Sequence, residues 1–243
     1  MFFFFRSKKQ DLFSGLVDFH NHILPNVDDG CKSINESLNM LDEYSTLGFR
    51  EVIPSPHTNH IFPNDSKKLK KSFNKFLLEP KVQSHEIIIK KLASEYLIGD
   101  EFYENLKKKE NLIKFNEKYL LIEIPFFGKL NILNEVIYSL TIKDIIPILA
   151  HPERFAAYEN KSFVQDLKIR GVLMQLNALS LIGSYGEMSR KKAFKWLNEG
   201  LYDFVCTDAH NLNQLQSVHK IKLNKKETIQ WNKIKKNQIK VFS

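Results

Sequence analysis

Leu16-Val-Asp18-Phe-His20-Asn-His22-Ile-Leu-Pro25-Asn-Val-Asp28-Asp29-Gly30 is the stretch around which the chain is organised. An apolar start followed by polar residues reads as a short buried strand that delivers its chemistry at its C-terminal end. His20 and His22 are two residues apart, so on a strand they point to one face. Two imidazoles side by side can share a metal ion. Pro25, Asn26 and Asp28-Asp29-Gly30 turn the chain, and Asp29 can bring a carboxylate back to the same pocket. A lone His-x-His more often marks two surface histidines, so the rest of the chain decides.

Outward from this stretch, strand-like runs alternate with helical ones. Residues 16–23 lead to a helix over Ile34–Leu47 with an apolar stripe of Leu38, Met40, Leu41 and Tyr44, closed by Gly48. Strands are predicted over 49–55, late in 86–97, and over 119–124, 145–150, 172–177 and 202–206. Helices are predicted over 66–78, Asp100–Lys107, 131–140, 162–170 and 186–198. Seven β-α units of this kind imply an α/β fold with a parallel sheet, closed or open. No Gly-rich phosphate loop follows any strand, which argues against a nucleotide-binding open sheet. A (β/α) TIM-like barrel carries its functional residues at strand C-termini, and the sequence places them there.

Five of the eight histidines, His20, His22, His57, His151 and His210, fall at predicted strand ends, as do Asp29, Glu95, Glu123 and Asp208. Nine converging donors are too many for one ion, since a site takes about three protein ligands plus water. Without metal, four carboxylates packed together repel one another. Two or three ions with bridging carboxylates use the whole set. With no cysteine among the donors, Mn²⁺ or Fe²⁺ is expected, with Zn²⁺ as the alternative. Ions about 3.5–4 Å apart bridge a hydroxide at neutral pH and clamp the oxygens of a displacement at phosphorus. Arg154, three residues past His151, can fork onto two phosphoryl oxygens. Arg154 and Asp29 are the residues expected to act in catalysis. Glu153 is expected to brace a neighbouring loop, His60 either to line the pocket or to start a helix, and His85 and His219 to be surface groups outside the strand-end set.

Composition sets the remaining bounds. The apolar 43% and charged 26% of 243 residues are ordinary for a globular chain without a membrane-spanning run. One domain over 1–243 is expected, with a basic helical segment at 212–243. The formal charge of +8 is concentrated in that tail, since residues 219–243 hold eight Lys against one Glu. Apolar residues interleave with those lysines, and no nucleic-acid motif accompanies them, so the tail reads as an amphipathic helix on the body. The Phe2–Phe5 run is too short, and its cations follow rather than precede it, for a signal peptide. Cys31 and Cys206 form no redox pattern, which suits a reduced cytoplasmic setting.

Taken in order, Asp18-Phe-His-Asn-His-Ile-Leu-Pro…Asp28-Asp29-Gly30, Ser55-Pro-His57, Ser94-Glu95-Tyr96, Leu121-Ile-Glu123-Ile-Pro, Ile148-Leu-Ala-His151-Pro-Glu-Arg154-Phe, Gln175-Leu-Asn-Ala-Leu-Ser180 and Thr207-Asp-Ala-His210-Asn211 are specific as a set. The chain resembles the bacterial capsule and exopolysaccharide protein-tyrosine phosphatases of the polymerase-and-histidinol-phosphatase (PHP) superfamily. The resemblance implies a distorted seven-stranded barrel of the PHP type with a three-ion centre, usually manganese. It implies a phosphotyrosine substrate on a bacterial tyrosine autokinase that regulates polysaccharide synthesis, with any membrane association made through that substrate. Carried over, His20, His22, Glu95 and Asp208 hold one ion. Glu95 as a bridge, with Glu123 and His151, holds a second, and Asp29, His57 and His210 hold the third. Arg154 matches the family's phosphate-binding arginine. Members carry a second arginine just past the Asp-x-His motif, and Asn211-Leu-Asn-Gln-Leu-Gln216 contains none. A small-molecule phosphomonoesterase of the histidinol-phosphatase kind, and a catalytically silent phosphotyrosine-tail binder, remain open alternatives, as does the oligomeric state.

Overall fold

The computed structural model describes residues 11–108, 111–125, 132–155 and 161–242. The Phe2–Phe5 run and the first residue of the helix expected over 131–140 lie outside them. The strands are β1 (Val17–Asp18), β2 (Glu51–Val52), β3 (His57–Thr58), β4 (Glu95–Leu97), β5 (Tyr119–Glu123), β6 (Ile146–Ala150), β7 (Leu173–Asn177) and β8 (Phe204–Cys206). The helices are α1 (Ile34–Leu47), α2 (Ser66–Leu77), α3 (Pro80–Gln83), α4 (Asp100–Lys107), α5 (Leu133–Thr141), α6 (Lys161–Ile169), α7 (Glu187–Asn198), α8 (Leu212–Ser217) and α9 (Lys225–Phe242). Every strand pair is parallel, as alternating β and α elements require.

The strands form a two-stranded sheet, β1-β2, and a six-stranded sheet ordered β3-β4-β5-β6-β7-β8. The α/β class with a parallel sheet is therefore as read. The closed seven-stranded barrel is corrected, because the described residues contain eight short strands in two sheets and no closed ring. Two local causes are visible. Pro54 and Pro56 have no N–H to give, so the strand expected over 49–55 is cut down to β2, and the separate strand β3 starts beyond it at His57. Across that break Ser55 N–H still reaches Asn21 O at 3.0 Å, and the carbonyls of Pro54 and Pro56 accept from Ala93 and Glu95 at 2.8 and 3.1 Å. At the other edge, Asp208 has φ 51°, outside the extended region. Between the ends of β1 and β8 the described pairing is an isolated Asn21–Ala209 bridge. There Asp208 N–H donates to His20 O at 2.7 Å and His22 N–H to Ala209 O at 3.0 Å. Buried Asp18 reinforces this junction, accepting from Tyr44 of α1 at 2.9 Å and from the Thr207 hydroxyl at 2.5 Å.

Alternation along the strands divides the core in two. Tyr119, Leu121, Ile148, Ala150, Phe204 and Cys206 belong to a small inner cluster with Val17 and Phe19. Leu120, Ile122, Leu149 and Val205 face the large layer under the helices. The inner cluster is completed by the last turn of α9. Phe242, 4% exposed, stacks on Phe19 at 5.2 Å and on Phe115 at 5.9 Å. Arg50 clamps that turn by donating to the Phe242 carbonyl at 2.7 Å. Phe242→Ala is expected to lower the free energy of unfolding by about 3–5 kcal/mol, the usual cost of emptying a buried aromatic site. Urea titration checks this, and a loss under about 1 kcal/mol would show that the inner core closes without it. Among the described residues no helix is long and apolar enough to cross a membrane.

Candidate metal centre

Strand ends and the turns beyond them supply every expected donor. His20 and His22 follow β1, His57 opens β3, Glu95 opens β4 and Glu123 ends β5. His151 follows β6, and Asp208 and His210 follow β8. Asp29 comes from the turn over the mouth. Its tight path depends on Gly30, where an added Cβ would lie 2.0 Å from the His22 carbonyl oxygen. His151, at φ 32°, and Asp208 both sit in the left-handed region. Such backbone is costly for residues with a Cβ and recurs where a side chain must be aimed.

All nine donors meet. His20, His22, Glu95 and Asp208 form one group with donor atoms within 4.8 Å of each other, as the resemblance implies. Asp29, His57 and His210 form another, which His22 also joins. The third group differs in composition, since His57 joins Glu95 and Glu123. The expected His151 stands close by, its Nε2 3.1 Å from Glu95 Oε1 and 3.5 Å from Glu123 Oε1. Glu95 is the hub, with Oε1 3.3 Å from His20 Nε2 and Oε2 2.9 Å from His57 Nδ1.

The imidazoles are held in one tautomeric sense. His20 Nδ1–H donates to Gln175 Oε1 at 2.9 Å, and Gln175 is fixed by its own Nε2 bond to Leu176 O at 2.6 Å. His22 Nδ1–H donates to Asp28 Oδ2 at 2.8 Å, and His210 Nδ1–H to its neighbour carbonyl Asp208 O at 3.0 Å. Each therefore turns its Nε2 inward, the arrangement that outer partners impose on metal-binding histidines. His20 Nε2, His57 Nδ1 and Glu95 Oε2 are buried with no hydrogen-bond partner. Polar atoms left without hydrogen-bond partners inside a protein are costly unless a cation lies among them. The donor set thus fits divalent metal ions.

In the bare cluster, protons take the place that cations would fill. Burial would lower His20 and His22, but Glu95 and Asp208 raise His20 well above the usual imidazole range. Asp28 with Asp208 holds His22 up to about 10. Burial, and then the Glu95 charge, push Glu123 well above the usual carboxylate range. Burial would raise Glu95 too, but His20 and His57 beside it hold it well below. Burial, and then the Arg154 guanidinium, lower His151 to about 4. Burial and the His22 charge lower His210 to about 4. These two histidines are therefore neutral lone-pair donors at physiological pH. A bound cation reverses the pressure on Glu123, because it favours the ionised carboxylate.

Arg154 closes the site on one side. His151-Pro-Glu-Arg154 continues as a 3₁₀ turn, and Arg154 NH1 donates to Asp208 Oδ2 at 2.7 Å. Glu153 braces the adjoining β7 loop as expected, accepting from Asn177 N–H at 3.0 Å, Ser180 Oγ at 2.8 Å and Tyr202 OH at 3.1 Å. His60 is exposed and outside the donor groups. The sequence reading passed over Asp28 and Gln175 as orienting groups, and Asn177 and Tyr185 beside Arg154. Signals for three of them exist. Asp28 adjoins Asp29 in the turn, and Gln175 and Asn177 are polar residues at one spacing of two within an otherwise apolar strand.

Comparison with known proteins places this site in a family. A family model for capsular polysaccharide synthesis, CpsB/CapC, matches residues 16–233, a span that includes every donor above. CapC of Staphylococcus aureus is 35% identical over 205 residues, covering 81% of this chain and 78% of CapC. The tyrosine-protein phosphatase YwqE of Bacillus subtilis is 31% identical over 202 residues, with the same coverage of 81% and 78%. A solved structure described as one of YwqE from Bacillus subtilis and CpsB from Streptococcus pneumoniae, unique metal-dependent tyrosine phosphatases, superposes with a TM-score of 0.75. It is 26% identical and covers 92% of this chain and 95% of that one. The chain belongs to the CpsB/CapC family.

Proposed function

We propose that this chain is a metal-dependent protein-tyrosine phosphatase. The observation that carries the reading is the cluster of eight grouped donors with His151 beside Glu95 and Glu123, with buried atoms lacking hydrogen-bond partners, set beside the Arg154 guanidinium. The names borne by YwqE and CpsB support it. His20, His22, Glu95 and Asp208 hold one ion. Glu95 with Glu123 and His151 holds a second, and Asp29, His57 and His210 hold a third, with Mn²⁺ the expected metal. Such ions, when bound, supply a water acidified to near neutrality and neutralise charge on phosphoryl oxygens.

The chain's own residues do the rest. The Nδ1 anchors at Gln175, Asp28 and the Asp208 carbonyl fix the direction of three donors, so little reorganisation remains when substrate arrives. Asp29 is 53% exposed while the other three carboxylates of the cluster are buried. It is the one that meets an entering phosphotyrosine, which gives it a catalytic place beside its binding role. Arg154 offers the planar fork suited to phosphoryl oxygens. The substrate is a phosphotyrosine tail, here read as that of a cytoplasmic tyrosine autokinase governing polysaccharide synthesis.

No thiolate takes part. Cys31 and Cys206 are buried, and burial pushes the Cys31 thiol up to about 11 and the Cys206 thiol well above the ordinary range. With Mn²⁺ added, the chain is expected to turn over a phosphotyrosine peptide in preference to histidinol phosphate. A chelator should abolish that activity, and iodoacetamide should leave it unchanged. Preference for histidinol phosphate, absence of turnover, or inactivation of folded protein by alkylation would each overturn the reading.

A further inference from the structure

The turn between β7 and α7 contributes no donor to the metal cluster, yet it delivers Tyr185 to the face of Arg154. Gly183 and Gly186 flank the tyrosine with φ of 81° and 89°, backbone that glycine adopts without strain. Gly183 N–H donates to Ser180 O at 3.1 Å, Ser184 N–H to Leu179 O at 3.3 Å and Gly186 N–H to Gly183 O at 3.0 Å. The turn is closed at three points, and the ring it carries is set. The Arg154 guanidinium carbon lies 3.9 Å from the centre of that ring.

Asp208 couples this corner to the metal cluster. Its Oδ1 stands 3.2 Å from both His20 Nε2 and His22 Nε2. Its Oδ2 accepts from Arg154 NH1 at 2.7 Å, Asn177 Nδ2 at 2.8 Å and Tyr185 OH at 3.4 Å. Asn177 Nδ2 also donates to the Tyr185 hydroxyl at 3.2 Å.

We infer that Tyr185 is a positioning residue for Arg154: its ring fixes the plane in which the guanidinium meets the phosphoryl group. The inference rests on the phosphatase reading above and extends it to how the arginine is presented. The bond from Arg154 NH1 to Asp208 fixes one corner of the guanidinium, and the plane of the group is a separate degree of freedom. An aromatic face under the group restrains that plane and adds cation–π attraction. Bidentate capture of two phosphoryl oxygens requires the plane to be set before substrate arrives. The demand is sharper here because Asn211-Leu-Asn-Gln-Leu-Gln216 holds no second arginine to share the contact.

The test uses the full chain loaded with Mn²⁺. It reads inorganic-phosphate affinity by calorimetry, kcat/KM on a phosphotyrosine peptide, and metal per chain. Tyr185→Leu is expected to weaken phosphate binding and kcat/KM about tenfold, the scale of a partly desolvated cation–π contact plus lost orientation. Tyr185→Phe, which keeps the ring, should restore most of that loss. In an Arg154→Ala background Tyr185→Leu should cost nothing further, because the two side chains act as a unit. An equal loss with and without Arg154, an equal loss for Phe and Leu, or a falling metal count would overturn the inference. Wild-type protein that binds phosphate but fails to hydrolyse phosphotyrosine would defeat the phosphatase reading instead. The phosphate affinities would still report the coupling.

Discussion

Glu95→Gln yields a folded chain that binds fewer metal ions and hydrolyses phosphotyrosine more slowly by on the order of a thousand-fold or more, since each ion's charge stabilisation is worth several kcal/mol. The expectation follows from the position of this carboxylate. Both oxygens are used, Oε1 toward His20 and His151 and Oε2 toward His57. It is also the carboxylate shared by two of the three donor groups, as the imidazoles of His22 and His57 are. The amide keeps the shape and removes the negative charge, so the neighbouring imidazoles lose the anion that opposes the ions' positive charge. Metal analysis, a thermal melt with and without Mn²⁺, and steady-state kinetics together check it. Wild-type protein should gain stability from Mn²⁺ in proportion to the logarithm of its concentration, and Glu95→Gln should gain less. Full metal occupancy with activity within about tenfold of wild type, far short of the estimate above, would show that Glu95 is not a bridge.

The second large effect is expected at Arg154. Losing one charge-assisted donor to the transition state costs about 3–4 kcal/mol, or roughly a hundred- to a thousand-fold in rate. With no second arginine beyond His210, Arg154→Ala should fall toward the upper end of that range. Arg154→Lys should rescue poorly, because an ammonium on a flexible stem neither forks onto two oxygens nor stacks flat on Tyr185. The ion pair with Asp208 makes a metal count necessary, since truncation also unburdens a carboxylate at the cluster's edge. A fall under about threefold with full occupancy, well short of this estimate, would reduce Arg154 to a structural brace.

The donors were legible in the sequence because strand-end chemistry is written in one dimension. An apolar run that stops at His or a carboxylate announces both the strand and its cargo, as Ile148-Leu-Ala-His151 and Phe204-Val-Cys-Thr-Asp208 do. What was not legible depends on distance across the fold. Gln175 orients His20, 155 residues away, and nothing local distinguishes it from another polar residue on a strand. Asp28 and Asp29 are neighbours of identical chemistry. Only the turn geometry decides that Asp28 turns under His22 and Asp29 faces solvent. Barrel closure was misread for a similar reason. Hydrophobic pattern says where strands lie, but Pro54, Pro56 and the backbone at Asp208 decide whether adjacent ladders join.

The place of Phe242 has a consequence for how the molecule comes apart. The inner face of the sheet begins with Val17 and Phe19 and is sealed by a ring carried on the last turn of α9. Fraying of that one turn uncovers Phe19, Phe115 and Phe204 together. Because Phe19 directly precedes His20, loosening the far end of α9 is felt at the segment that carries the first two metal donors.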